Sequence, residues 1–163
     1  MPAATESNKH LYELLKGFDN AMLVTHAGSE LHARPMAVAK LEPDADMFFS
    51  TSLQSPKAAE IDADSAATVT FQDGNQFASV SGNARIVRDR QLIDQLWSEA
   101  WRVWFPGGKD DPSLCLIRLE AQHGEYWDTA GAQGVKYAFR AAKAYLKGEI
   151  PDIDKAQNSK VRL

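Results

Sequence analysis

The spacing of apolar residues changes several times along this 163-residue chain, and each change marks a new element. Leu11, Leu14, Leu15 and Phe18 recur at helical intervals after Ser7 and Asn8 and stop at Gly17 and Asn20, which predicts an opening helix. The pattern then becomes that of strands. Ala21 to His26 and Leu31 to Lys40 flank a Gly28-Ser29 turn, and Asp46 to Thr51 follows the polar turn Glu42-Pro43-Asp44. Ser55 reads as a helix cap and Pro56 as the first helical residue, where its missing N–H costs nothing, so a short helix runs to about Ala63. Ala67 to Gln72 and Gln76 to Val87 lie on either side of Asp73-Gly74, a hairpin signal.

Leu92, Ile93, Leu96, Trp97, Ala100, Trp101 and Trp104 then form a helical stripe stopped by Phe105-Pro106-Gly107-Gly108. Ser113 to Leu119 and Glu125 to Asp128 read as closing strands. A last helix follows from Val135, with Val135, Ala138, Phe139, Ala142, Tyr145 and Leu146 on its apolar face and Gly148 and Pro151 as its stop. Asp152 to Leu163 reads as a loose tail. Six or seven consecutive strands with little helix between them predict a mainly β, α+β fold, and a small antiparallel barrel is the simplest way to hide both sheet edges. With no repeat or linker, residues 1–163 form one domain, with a barrel core at about 11–128 and a terminal helix and tail at 135–163.

Composition narrows the function classes. A hydrophobic content of 44% supplies one sizeable core, and a net charge of −4 argues against a sequence-wide grip on nucleic acid or anionic lipid. Cys115 is the single cysteine, set in the apolar run Leu114-Cys115-Leu116-Ile117, so no intrachain disulfide forms and a reducing cytoplasm fits best. Met1 to His10 has no apolar leader segment, and no run approaches the roughly 18 apolar residues that span a bilayer.

The candidate chemistry lies between residues 34 and 57. Phe48-Phe49-Ser50-Thr51-Ser52-Leu53-Gln54-Ser55-Pro56-Lys57 runs from an apolar strand through hydroxyls into a helix start and a lysine, one strand after Ala33-Arg34-Pro35-Met36. A phosphate dianion attached to an aromatic ring needs fixed positive charge, O–H or N–H donors and apolar surface. Lys57 and Arg34 supply charge, Thr51, Ser52 and Ser55 supply hydroxyls, the helix end supplies N–H groups, and Met36 and Phe49 offer apolar lining. No glycine-rich or Walker-type phosphate loop occurs. The plain alternative is that Ser55-Pro56-Lys57 only caps a short helix and Arg34 is a surface residue.

Other candidates are weaker. His10, His26, His32 and His123 show no metal-ligand spacing and read as surface residues, so no metal site is expected. No Gly-x-Ser-x-Gly elbow is present, and the acidic pairs Asp62/Asp64 and Asp110/Asp111 read as solvated. Trp97, Trp101 and Trp104 most simply pack a helix on the core. Lys136, Arg140, Lys143 and Lys147 give the last helix a basic side, read as a solvated face, with contact to a partner or membrane surface as the alternative.

Four segments together resemble the FMN-binding split barrel of the pyridoxamine 5′-phosphate oxidase-like superfamily, and most closely its bacterial general stress protein branch. They are Ala33-Arg34-Pro35-Met36; Phe49-Ser50-Thr51-Ser52 with Ser55-x-Lys57; Val80-Ser81-Gly82-Asn83-Ala84; and Trp104 to Pro112 leading to Glu125-Tyr126-Trp127. The resemblance implies a six- to seven-stranded antiparallel split barrel that dimerises with flavin at the interface. It assigns Arg34, Pro35 and Met36 to the flavin ring and ribityl side, and Ser50, Thr51, Ser52, Ser55 and Lys57 to the ribityl and phosphate end. It brings Trp104 and Phe105 to the partner's flavin as a lid.

The cofactor so implied is FMN, with FAD, pyridoxal phosphate or a deazaflavin as alternatives, and the partners are a second copy and a small redox substrate. Pro56 stands where the true oxidases carry arginine and Phe77 where they carry glutamine, and their carboxy-terminal arginine motif is replaced by an alanine-rich helix. These departures weigh against pyridoxamine phosphate oxidation. A flavin-dependent oxidoreductase and a flavin-holding stress protein without turnover both remain open.

Overall fold

The computed structural model describes residues 5–153 and 157–163. Residues 1–4 and 154–156, the latter part of the tail in the sequence reading, lie outside the described residues.

The chain opens with α1 (Glu6–Leu15), whose start is capped by the Thr5 side chain accepting from the Asn8 amide at 3.1 Å. Strands β1 (Ala21–Ala27) and β2 (Glu30–Met36) form a hairpin closed by Gly28 at φ +64°, a conformation glycine adopts without strain. β3 (Lys40–Leu41) and β4 (Met47–Ser52) form a second hairpin, and α2 (Pro56–Ala63) follows. β5 (Ala66–Asp73) and β6 (Gln76–Val87) pair through a Gly74-Asn75 turn, one residue later than the Asp73-Gly74 signal. Gly28, Pro56 and Gly74 each mark the end of an element, proline by fixing φ in the first helical turn and the glycines by accepting the positive φ of their turns.

After α3 (Arg90–Leu96) the structure departs from the sequence reading. The long helix expected to reach Trp104 breaks at Trp97, and Ser98 caps a separate 3-10 turn over Glu99–Val103. Trp97 and Trp101 still pack on the second core cluster, with Phe48, Ile93, Phe105, Leu114 and Leu116, but Trp104 is 78% exposed. The two closing strands are one strand, β7 (Leu114–Asp128). After it come α4 (Gly131–Lys147), which starts before Val135, and β8 (Asn158–Arg162). The tail expected to be loose therefore ends in a strand, paired with β7 from His123↔Arg162 to Trp127↔Asn158.

The sheet order is β2-β1-β5-β6-β7-β4-β3, antiparallel throughout, with β8 added on β7. The eight strands exceed the six or seven expected because two-residue β3 and terminal β8 were not legible as strands. β7 organises the fold: β6 pairs along its length, β4 pairs with Leu114 to Leu119 and β8 with His123 to Trp127. The register of β6 and β7 shifts at Ser81/Gly82, where Ala121 and His123 face consecutive residues and Gln122 is extra. Such a bulge bends the strand pair and lets the sheet curl. Gly82 is required there, because a Cβ would stand 1.9 Å from the Glu120 carbonyl oxygen.

The main core lies inside this curl, built on Leu11, Leu23, Phe49, Val69, Val80, Ile117, Leu119 and Tyr126. Asp46 closes one end. It is buried, accepts from Arg118 Nη2 at 2.8 Å and Nε at 3.2 Å, and accepts the Ala121 amide at 2.8 Å beside the bulge. Burying a carboxylate is costly unless it is paired and hydrogen-bonded in this way.

Candidate functional site

β4 delivers the hydroxyls to the start of α2. Thr51 is buried, and its Oγ1 lies 3.2 Å from Ser55 Oγ. Ser50 and Ser52 pair with Leu116 and Leu114 of β7, and Ser52 turns the chain by accepting the Gln54 amide at 3.1 Å. Ser55 takes the cap position with Pro56 in the first turn, as the sequence predicts, yet its side chain makes no capping bond. The Ala58 amide bonds back to the Ser55 carbonyl at 3.1 Å, and the Lys57 amide has no partner among the described residues. A helix start with an uncapped N–H is a favourable place for an anion.

Lys57 sharpens that preference. Its ammonium makes no ion pair among the described residues, and burial together with the neighbouring Arg34 charge pulls its pKa below the usual lysine value. A half-buried cation beside another cation, with no carboxylate in contact, is electrostatically short of one anion.

Arg34 is held by contacts within the chain. Strand alternation puts Arg34 opposite Leu23 and Pro35 opposite Met22, on opposite faces of the sheet. Arg34 Nη1 donates to Thr25 Oγ1 at 2.6 Å and to the Leu23 carbonyl at 3.4 Å, and Nη2 donates to Glu60 Oε2 at 2.8 Å. Glu60, on α2 one turn beyond Lys57, also accepts from Thr25 Oγ1 at 2.7 Å and lies 3.0 Å from His32 Nδ1. The Thr25 bond first, with His32 and Arg34 added, holds the Glu60 carboxyl below its usual range. Glu60 thus ties Arg34 down and leaves Lys57 as the open cation of the cluster.

The remaining candidates divide. Pro35 forms a wall of a groove of about 480 Å³ on the outer sheet face, with Met22, Phe77 and Trp127. Met36 packs against the main core. Phe49 is 0% exposed inside that core and supports the strand without presenting a face to a ligand. Phe105 is buried in the second cluster and Trp104 stands in solvent, so within one chain neither joins the hydroxyl–lysine cluster.

The Glu60 tie to Arg34 and the uncovered groove had no sequence signal, since 26 residues separate the ion pair and the groove gathers five strands. Cys115 is buried as expected, donates to the Thr51 carbonyl at 3.5 Å, and burial pushes its thiol up to about 11, which keeps it inert at neutral pH. His10 is half-buried, stacked on Tyr126 with its Nε2 2.9 Å from Asp128 Oδ2, and not the surface residue expected.

The residues present fit a flavin phosphate at one end. Thr51, Ser55, Lys57 and the α2 start provide hydroxyl, amide and ammonium donors for a dianion. β2 is a sheet edge whose backbone groups face outward, with Pro35 placed where an edge tolerates it.

The fold is a split antiparallel barrel with a turn carrying hydroxyls and a lysine at the start of its second helix. The chain belongs to the pyridoxamine 5′-phosphate oxidase-like family, whose model matches residues 6–152. Protein bli-3 of Neurospora crassa is 31% identical over 107 residues, which cover 59% of this chain and 51% of that protein. General stress protein 26 of Bacillus subtilis is 37% identical over 49 residues, 30% of this chain and 34% of that protein. The chain thus spans about half and about a third of the lengths of these two relatives.

Among solved structures, a protein assigned as general stress protein 26 from Jannaschia sp. CCS1 superposes with a TM-score of 0.71 at 25% identity, covering 94% of this chain and 96% of that one. The general stress FMN/FAD binding protein of Xanthomonas citri gives a TM-score of 0.65 at 31% identity, with 76% and 89% covered. No helix among the described residues is long and apolar enough to cross a membrane.

Proposed function

We propose that this protein binds FMN, with the phosphate at Thr51, Ser55, Lys57 and the amide end of α2, and with the ring lying along the β2 edge between two copies of the chain. The observation that carries this reading is Lys57, a partly buried ammonium with no carboxylate in contact at an uncapped helix start. The similar FMN/FAD binding protein from Xanthomonas citri supports the choice of ligand and keeps FAD as the alternative. Exposed Met22, Phe77 and Trp127 on one sheet face support a second copy as cover.

In this reading the chain holds and orients. Lys57 neutralises the phosphate, and Glu60 fixes the Arg34 guanidinium behind the site. A bound flavin supplies electron or hydride transfer, and the protein sets its position and electrostatics. We assign the protein as a flavin-dependent oxidoreductase acting on a small redox substrate.

One observation favours a second reading, in which flavin is held without turnover. The groove beside Pro35 is lined by no Lys, His, Asp, Glu or Cys, so no side chain there carries a readily transferable proton.

Absorbance of the purified protein, and of the protein reconstituted with FMN, tests the binding reading. A flavin spectrum that co-elutes with the protein is expected, and colourless protein that leaves FMN fluorescence unquenched would overturn it. NAD(P)H oxidation measured against free FMN then separates the two readings, since no acceleration with any acceptor assigns the holding role.

A further inference from the structure

α4 is attached through its small residues and keeps its large ones in solvent. Ala144 is its buried residue, whereas Val135, Phe139, Tyr145 and Leu146 are 72%, 73%, 85% and 85% exposed. At about 100° per residue, Val135, Phe139 and Leu146 fall in one strip and Lys136, Lys143 and Lys147 along one flank of it. The helix carries four basic residues and no acid, so a net charge of −4 for the chain with +4 here leaves −8 for the rest. Contiguous exposed apolar surface of this kind marks an interaction site.

The same chain has a second uncovered apolar surface, the groove walled by Met22, Pro35, Phe77 and Trp127, with Met22, Phe77 and Trp127 at 38–40% exposure. Acids stand beside it: Asp19 precedes the lining residue Asn20, and Asp73 follows the lining residue Gln72. Both acids are exposed and unpaired among the described residues, as are Lys136, Lys143 and Lys147. Strip and groove both stay open within one chain, so neither covers the other there.

We propose that α4 is an arm that docks on a second copy of this chain, its apolar strip in the partner's groove and its lysines facing the partner's Asp19 and Asp73. A two-fold arrangement makes the exchange reciprocal, covering both grooves and both helices at once. An anionic membrane would satisfy the lysines alone, leave the groove open and meet a body of charge −8. A second copy satisfies both surfaces. The inference rests on the two-copy part of the proposed function, and it makes the wall at Pro35 incomplete until the partner's α4 arrives.

Sedimentation equilibrium on the full-length protein, with and without FMN, tests the arm. A dimer is expected in both conditions, and Phe139→Asp and Leu146→Asp are each expected to raise its dissociation constant by about 30-fold or more, as truncating a central interface anchor does. The surface set Lys136→Glu with Lys143→Glu, which replaces polar by polar and keeps the fold, is expected to weaken the dimer about tenfold. Adding Asp19→Lys and Asp73→Lys to that chain restores it.

A monomeric wild type overturns both the arm and the two-copy reading, and a dimer indifferent to all α4 variants overturns the arm alone. Binding of a monomer to phosphatidylserine vesicles through α4 assigns the helix to a membrane and also overturns the arm. Because dimerisation is measured without FMN as well, failure of the flavin reading shows separately, as a dimer that takes up no flavin.

Discussion

At the scale of single residues, the site is defined by how charge is shared among Lys57, Arg34 and Glu60. Arg34 is answered inside the chain by Glu60, Thr25 and the Leu23 carbonyl, so its guanidinium behaves as a positioning group. Lys57 has no carboxylate in contact among the described residues, and burial first, then the Arg34 charge, lowers its pKa. Glu60 has a consequence for acid stability. Its carboxyl titrates below the ordinary 4.5, so above that pH it is ionised in folded and unfolded chains alike and its contribution is fully present. As pH falls below 4.5 the unfolded chain takes up the proton first, and the contribution is lost through the folded value. Urea unfolding between about pH 7 and pH 3 is therefore expected to show a smaller acid loss in Glu60→Gln than in wild type. Equal losses would show that the cluster does not bind Glu60 in its ionised form.

At the scale of elements, what was legible in the sequence was local. Gly28, Gly74 and Ser55-Pro56 set their own turns and cap, and the structure places an element boundary at each. What was not legible needed a distant partner. β8 has one buried residue, Val161, and exists because β7 offers it an edge from His123 to Trp127. β7 read as two strands because Gln122 and Gly124 interrupt its apolar pattern. The first is the bulge residue, and the second leaves room for Leu11, whose Cδ2 would stand 2.5 Å from an added Cβ. The helical stripe through Trp104 failed because Ser98 caps a new turn, a local polar signal inside an apolar period. The bulge itself is testable. Gly82→Ala forces a Cβ against the Glu120 carbonyl, which is backbone and cannot rotate away, and a loss of about 3 kcal/mol is expected in denaturant melts. A loss within experimental error would mean that the β6/β7 register differs from the one described.

For the molecule as a whole, a barrel whose interior is filled by its core leaves only edges and outer faces open to a ligand. The core holds Phe49 and Cys115 at 0% exposure, and the α2 start, β2, the groove at Pro35 and the strip on α4 all lie at edges or on outer faces. The stretch between Arg34 and Lys57 was legible as strands and a helix start, whereas the direction each side chain takes was not. The motif fixes a strand and a helix start, but strand alternation and the Glu60 contact decide which side chains face the site.

The claim on which the functional reading depends is that the anionic end of the cofactor sits at Lys57. Isothermal titration of FMN into wild type and Lys57→Ala, with matched melting curves, addresses it most directly. The expected result is a loss of about 1.5–3 kcal/mol in the variant, the worth of one charged hydrogen bond, with stability unchanged or slightly raised because an unanswered cation has been removed. Equal FMN affinity in the two proteins would contradict the placement.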